Sequence, residues 1–396
     1  MPTRSTLLLV SLIAALIVGL ACQSSALKTP VAEAEAHPSL TPINRDDVIT
    51  IAAVGDIMMG STSINDSFLP PNDGRDMLKE VTPILSAADI AFGNLEGPML
   101  EGGKSAKCEE PPKNPNATPT PTPTPTRVKP GSSEKKPKLC FAFRVPTRYG
   151  QHLKDAGFDV MSLANNHAFD FGEMGRTSTR RVLDDLGIKH AGSDRGQFST
   201  AYLEVKGLKV AVIGFAHNTI VPNVNDIEAA KAYVTAAKKK ADIVIVSFHG
   251  GAEGETAQHV PNQTEIFVGE KRGNLPLFAH SVIDAGADLV LGHGPHVLRG
   301  MEMYKGHLIA YSMGNFATYG MFGLKGATGI SAIFEIALNK DGTFAEGRIH
   351  PVKQLGRGGP VLDDSEVAIR KLRELSIVDF GSSAPKIDEH GSVTMK

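Results

Sequence analysis

Seven apolar runs of strand length, each closed by a small or polar residue, constrain this 396-residue chain more than any other feature. Val48–Val54 is nearly continuous and stops at Gly55-Asp56. The pattern returns at Ala88–Phe92 before Gly93-Asn94, at Phe158–Leu163 before Ala164-Asn165-Asn166-His167, and at Lys209–Ile213 before Gly214. It returns again at Ile243–Phe248 before His249-Gly250, at Leu289–Leu291 before Gly292-His293, and at Leu308–Ser312 before Met313-Gly314-Asn315. Runs without polar alternation suit strands buried on both faces. Helical stretches separate them at Arg148–Ala156, Thr177–Leu186, Ile227–Lys240 and Asn274–Ala285. Strands alternating with helices of this length predict α/β layers. An amphipathic helix over Ser365–Leu375 and a fraying tail are expected to end the chain.

In α/β sheets, ligands gather at the carboxyl ends of strands, because the loops there converge on one rim. Aligned strands would bring Asp56, Asn94, Glu96, Asn166, His167, His249, His293 and His296 into one site. Carboxylate, imidazole and amide donors together suit zinc, manganese or iron in a hydrolytic centre. Two such ions about 3.5–4 Å apart activate water and clamp a phosphoryl oxygen. Each piece alone has a plainer reading: Asp56 as a turn or helix cap, Asn94 and Glu96 as a tight turn, a lone histidine as core. Gly292-His293-Gly294-Pro295-His296 is stronger, with two imidazoles beside a proline-stiffened turn. Five such elements in strand-end register make the joint reading a metal site.

The two ends of the chain and one insertion divide the rest. Met1–Arg4 carry positive charge and Ser5–Ala21 carry none, so residues 1–22 read as a secretory signal. Cys22, after Leu20-Ala21, stands where a bacterial lipobox places its lipidated cysteine, with an ordinary signal peptide or an uncleaved anchor helix as the alternatives. Residues 23–47 form a polar tether, 48–362 the folded domain and 363–396 the C-terminal helix and tail. Within the domain, residues 104–140 are an insertion whose Thr118–Thr126 stretch alternates Thr and Pro, an extended spacer on the surface. Cys108 and Cys140 bracket it; in an exported protein they are expected to be oxidised, two free thiols being the alternative. A formal charge of −2 gives no field for nucleic acid, and the absence of Trp weighs against a stacking platform.

The ordered set Ala53-Val54-Gly55-Asp56, Gly93-Asn94-Leu95-Glu96-Gly97-Pro98, Asn165-Asn166-His167 with Asp170, His249-Gly250 with Glu253, Gly292–Val297 and Tyr311–Phe316 resembles the CapA family of poly-γ-glutamate capsule proteins. The resemblance covers Val48–Gly356. It implies a four-layer metallophosphatase-like α/β sandwich, two mixed sheets flanked by helices, similar to calcineurin-like metallophosphoesterases. It also implies one or two divalent ions (Zn, Mn or Fe) held by Asp56, Asn94, Glu96, Asn166, His249, His293 and His296. His167, as acid, with Asp170 and Glu253, are the catalytic candidates. The chain departs from the phosphoesterase pattern at Met58, where a histidine ligand is usual, and at Asn94, where aspartate is usual. The last two histidines are three residues apart instead of two.

Two functions follow from the resemblance. One is a metal-dependent hydrolase of an envelope polymer or phosphoester. The other is an accessory of poly-γ-glutamate synthesis, export or anchoring, outside the cytoplasm and tied to the bilayer by its N-terminal anchor. A non-catalytic polymer-binding lipoprotein is a third possibility. The expected partners are an anionic polymer such as poly-γ-glutamate and membrane synthase or export subunits. Arg144, Lys271, Arg272 and Arg299 read either as polymer-facing cations or as solvated surface charge.

Overall fold

The computed structural model describes residues 47–108, 141–194 and 197–396. The expected signal, Cys22, most of the tether and Cys140 lie outside the described residues, as does the Thr-Pro repeat. The strands in chain order are β1 Val48–Met58, β2 Ile90–Leu95, β3 Val160–Ser162, β4 Lys189–Asp194, β5 Gln197–Val205, β6 Leu208–Ala216, β7 Ile243–His249, β8 Glu265–Phe267, β9 Glu270–Gly273, β10 Leu289–His293, β11 Met301–Tyr304, β12 His307–Ala310, β13 Asn315–Thr318, β14 Ile330–Asn339 and β15 Phe344–Gln354. The helices that matter here are α1 Gly150–Asp155, α2 Gly172–Asp185, α3 Ile227–Lys238, α4 Leu275–Asp284 and α5 Val367–Phe380.

A single ladder runs β11-β12-β10-β7-β6-β5-β4-β3-β2-β1-β14-β15. Two sheets were expected; here they are two halves of one sheet, joined through the β4–β5 pair. The side-chain alternation shows how the halves stack. Ile49, Ile51 and Ala53 of β1 share one apolar cluster with Val210 and Val212 of β6, Ile243 and Ile245 of β7, and Leu289 and Leu291 of β10. The intervening residues face outward in each half. Ala52, Val54 and Ile57 pack with Leu153 of α1 and Leu183 of α2. Ala211, Val244, Val246 and Val290 pack with Val234 of α3 and with Phe278 and Val282 of α4. Three apolar interfaces between helix, half-sheet, half-sheet and helix make a four-layer α/β sandwich. Each fully buried aliphatic side chain adds about 1.5–3 kcal/mol, so period-2 alternation inside apolar runs fixes the register.

Helix α4 illustrates how the sequence sets an element. Asn274 caps it by accepting from the Leu277 N–H at 3.1 Å, and Pro276 occupies its first turn. Phe278, Val282 and Ile283 are buried, while Leu277 faces outward. The end of the chain differs from expectation. After α5, Lys386–Ile387 and Ser392–Thr394 pair with each other, and the second joins β15. Val393 is buried there, so the tail is a docked hairpin and not a fraying end. Among the described residues no helix is long and apolar enough to cross a membrane.

Candidate metal centre

The carboxyl ends of β1, β2 and β3 lie side by side because those strands are parallel, and so do those of β6, β7 and β10. Asp56 is the register partner of Asn94 on one side and of Asn315 on the other. His293 is the partner of His249. The β1 register shifts around Gly55, next to Asp56. A Cβ at Gly55 would lie 1.9 Å from the Gly314 carbonyl oxygen, which explains the glycine there. The irregularity re-aims Asp56 off the regular pleat.

Donors from the two halves meet across the interior. Asp56 Oδ1 is 3.3 Å from His293 Nδ1, and Oδ2 is 2.9 Å from His296 Nδ1. Glu96 Oε1 is 3.4 Å from His249 Nδ1. Ligand atoms of Asp56, Glu96 and His249 all lie within 4.8 Å of one another. These groups are almost sealed from solvent: Asp56, His249 and His293 are 0% exposed and Glu96 is 2%. His296 takes a left-handed φ of 59°, uncommon for a non-glycine residue and typical of a functional site. Asn315 buttresses it, with Oδ1 3.1 Å from His296 Nδ1 and Nδ2 donating to the His296 carbonyl.

Both Glu96 oxygens, Asp56 Oδ2, Asn166 Oδ1, His249 Nε2 and both ring nitrogens of His293 are buried without a well-formed hydrogen bond, although Asp56 Oδ2, Glu96 Oε1 and His293 Nδ1 have the ion-pair contacts given above. Native structures contain few such groups, and each costs about 1–3 kcal/mol or more when charged. The residues fit a divalent cation, because ligand atoms of Asp56, Glu96 and His249 gather within 4.8 Å of one another and several of them lack a hydrogen bond. The charges agree. Burial alone would raise Asp56, but the His293 and His296 imidazoles outweigh it and hold the carboxyl well below its usual range. Burial, then the charge of Asp56, push Glu96 well above its ordinary value. Burial lowers His249 strongly. It also opposes charge on His296, but Glu96 and Asp56 outweigh it and raise that imidazole to about 10.

The remaining predicted residues take different places. Asn94 turns its amide nitrogen to Asp56 Oδ1 at 2.8 Å, and its Oδ1 accepts from Asn165 at 3.1 Å; it orients the aspartate. Asn166 is half-buried and directs an unpaired oxygen inward. His167 Nδ1 lies 2.7 Å from Asp170 Oδ2, and its ring stacks on Phe143 at 4.1 Å between centroids. Burial lowers the His167 imidazole despite Asp170. Glu253 is paired with Arg272 at 2.7 Å. Cys108 stands in a disulfide.

Three contributors were not singled out from the sequence. Asn165 donates to Asn94 and to the Leu95 carbonyl at 2.8 Å, joining the His167 loop to β2. His217 lies beyond β6, 3.4 Å from the His249 carbonyl and 3.3 Å from Glu270; the strand-end rule would have found it had the run been carried past Gly214. Phe322 sits edge-on to His296 at 5.0 Å and 5.4 Å from Phe143, covering the site. Two expected surface cations are buried instead. Arg299 is 0% exposed and forks onto Glu265 at 2.8 Å twice. Arg272 is 3% exposed between Glu253 and Glu270.

The family described as "Bacterial capsule synthesis protein PGA_cap" matches residues 50–319. The chain is 29% identical over 286 residues to the "PGA biosynthesis protein CapA" of Bacillus subtilis (strain 168), covering 68% of this chain and 63% of that protein. It is 28% identical over 290 residues to the "Capsule biosynthesis protein CapA" of Bacillus anthracis, covering 68% and 60%. The matched part thus spans less than two thirds of the length of these relatives. Among solved structures, the 5'-nucleotidase precursor from Thermus thermophilus aligns with a TM-score of 0.39 and 12% identity, covering 80% of this chain and 54% of that one.

Proposed function

The chain belongs to the bacterial capsule synthesis family PGA_cap, and from that membership we propose that it is an exported accessory of poly-γ-glutamate capsule synthesis with a metal-dependent, hydrolase-like site. The observation that carries the metal reading is the set of buried ligand atoms without a hydrogen bond on Asp56, Glu96, Asn166, His249 and His293. The capsule reading is supported by the names of its Bacillus relatives. Export and anchoring are supported by the residue 1–22 pattern that ends at Cys22.

Asp56, Glu96, His249 and His293 would hold the ion, with Asn166 and His296 completing the shell. A divalent cation there supplies Lewis acidity toward a carbonyl or phosphoryl oxygen. Asn94 and Asn165 hold Asp56 and the His167 loop in fixed relation. Asp170 binds His167 Nδ1 and fixes the ring, leaving Nε2 to exchange a proton with the leaving group. Phe143 and Phe322 exclude water from the imidazoles.

Elemental analysis of the purified protein beside a His249→Ala, His293→Ala variant tests this reading. About one or two equivalents of zinc, manganese or iron, lost in the variant, are expected. Hydrolysis of γ-glutamyl polymer or of phosphoesters should then disappear in His167→Ala while the metal stays. Absence of metal from both proteins after reconstitution would remove the hydrolase mechanism. Anchoring is tested separately: Cys22→Ala should move the protein out of the membrane fraction.

A further inference from the structure

Residues 104–108 begin what the sequence presents as a surface insertion, yet they are laid against the candidate site. The Asp170 carbonyl accepts from the Ala106 N–H at 2.9 Å and from Ser105 Oγ at 3.0 Å. Ser105 Oγ in turn accepts from the Lys107 and Cys108 N–H groups at 3.2 and 3.1 Å. Upstream, the Gly103 carbonyl accepts from Arg144 at 2.9 Å. Downstream, Cys108 is held in a disulfide. The Lys107 N–H also reaches the Asp170 carbonyl, at 3.4 Å, so the segment is fastened at Lys107 and just upstream of it.

This fastening places the Lys107 ammonium 3.3 Å from Asp170 Oδ1 and 3.4 Å from His167 Nδ1. The ring nitrogen offers it little, because His167 Nδ1 is already 2.7 Å from Asp170 Oδ2. Asp170 Oδ2 is occupied further by the Phe143 N–H at 2.7 Å. Oδ1 remains, at a long distance and without hydrogen-bond geometry. An ammonium carries three donors, so Lys107 keeps donor capacity. Its side chain is 37% exposed, while Asp170 and the ligand carboxylates are sealed. It stands at the boundary between solvent and site. Its charge reaches inward to both Glu96 and His167. Arg144, Arg272 and Arg299 are engaged with Thr62 and Gly103, with Glu253 and Glu270, and with Glu265 respectively.

We propose that Lys107 is the anion-recognition residue of this site, holding a carboxylate or phosphoryl oxygen of the substrate beside His167. The inference rests on the metal-centre reading above and gives it a substrate class: a chain or ester bearing an anionic oxygen next to the reacting bond. A lysine suits this as a point charge that accepts either planar or tetrahedral oxyanions. The insertion is then a device that brings a cation to a centre otherwise built from acids and imidazoles.

The full chain, loaded with manganese or zinc, is titrated calorimetrically with a short γ-glutamyl oligomer and, separately, with inorganic phosphate. Metal per chain is measured on every sample. Lys107→Ala and Lys107→Gln should bind the preferred anion about 10-fold more weakly, and Lys107→Arg should stay within about 3-fold. The gap between wild type and Lys107→Ala should narrow as salt is raised. Response to the oligomer alone identifies the carboxylate source, and response to phosphate alone the phosphoryl source. Equal affinity in wild type and Lys107→Ala at equal metal content overturns the inference, as does metal-loaded wild type that binds neither anion. Failure of the wild type to hold metal removes the centre itself, and the role of Lys107 falls with it.

Discussion

Replacing Glu96 by glutamine should stabilise the metal-free protein and destabilise the metal-loaded one. Both Glu96 oxygens are buried without a hydrogen bond, Oε1 having only a 3.4 Å contact to His249 Nδ1, and burial and the neighbouring Asp56 charge oppose ionisation. Stranding such a group costs about 1–3 kcal/mol, and Glu96→Gln removes the charge at nearly constant volume. In EDTA at pH 8 the variant should therefore gain about 1–3 kcal/mol. Unfolding entropy near 2.1 cal/mol/K per residue makes 1 kcal/mol worth about 1–2 °C in a folded part of roughly 300 residues, so Tm should rise about 1–5 °C. Metal reverses the order. At a free concentration of about 1,000 Kd, wild type gains about 4.1 kcal/mol by mass action, more than the variant's metal-free advantage. A variant with about 1,000-fold weaker affinity gains only about 0.4 kcal/mol at that concentration. Thermal unfolding of both proteins, with EDTA and with added ion, reads out the crossing. Loss of 1 kcal/mol or more by Glu96→Gln in EDTA would refute the reasoning, because it would mean that Glu96 serves the fold and not a cation.

Three further outcomes are expected. Arg299→Met strands buried Glu265 and should cost about 3–5 kcal/mol in urea unfolding, most of it recovered in Arg299→Met, Glu265→Met. Asp89→Asn tests a pH-linked clasp between the start of β1 and Lys206. Burial would raise the Asp89 carboxyl, but Lys206 and the Thr50 N–H and hydroxyl outweigh it and lower its pKa. A depressed pKa gives stability that is present above the ordinary carboxyl range and lost as pH falls through the folded value. Asp89→Asn should thus cost about 1 kcal/mol at pH 7, allowing for solvent screening, with the gap closing toward pH 3 in urea titrations. Gly55→Ala drives a methyl into the Gly314 carbonyl oxygen. It should lose more than about 3 kcal/mol, seen as a drop in urea midpoint or as insoluble protein.

The parts of the centre that the sequence exposed share one property. Asp56, Asn94, Glu96, His249 and His293 each follow or end an apolar run, and parallel pairing converts that position into proximity. The parts it concealed depend on contacts that no period carries. Asn165 and Asn166 are adjacent and chemically alike, and only the turn decides that the first braces Asn94. Arg272 and Arg299 sit in charged, irregular stretches and look solvated until a distant glutamate pairs with them. Lys107 stood behind composition: it precedes a Thr-Pro repeat, and such a repeat argues for surface, which holds for the spacer and not for its anchored base. The docked C-terminal hairpin was missed because two strands of two and three residues carry too little apolar pattern to register.

The continuity of the sheet gives the centre a further consequence. Asp56 and Asn94 belong to one half-sheet, and His249 and His293 to the other. The chain crosses between the halves at the β4–β5 connection and again between β12 and β13, and the apolar cluster packs the halves together. At the rim that cluster gives way to acids and imidazoles, several of whose atoms lack a hydrogen bond, a mismatch that the low local dielectric makes costly. A cation bound by Asp56 and His293 would tie residues 237 positions apart in sequence across that gap (293 − 56). The energy that sets its affinity would therefore also hold the halves together. The stabilisation expected for wild type with metal, and absent from Glu96→Gln, would then measure how far a cation at Asp56, Glu96 and His293 closes that polar seam between the halves.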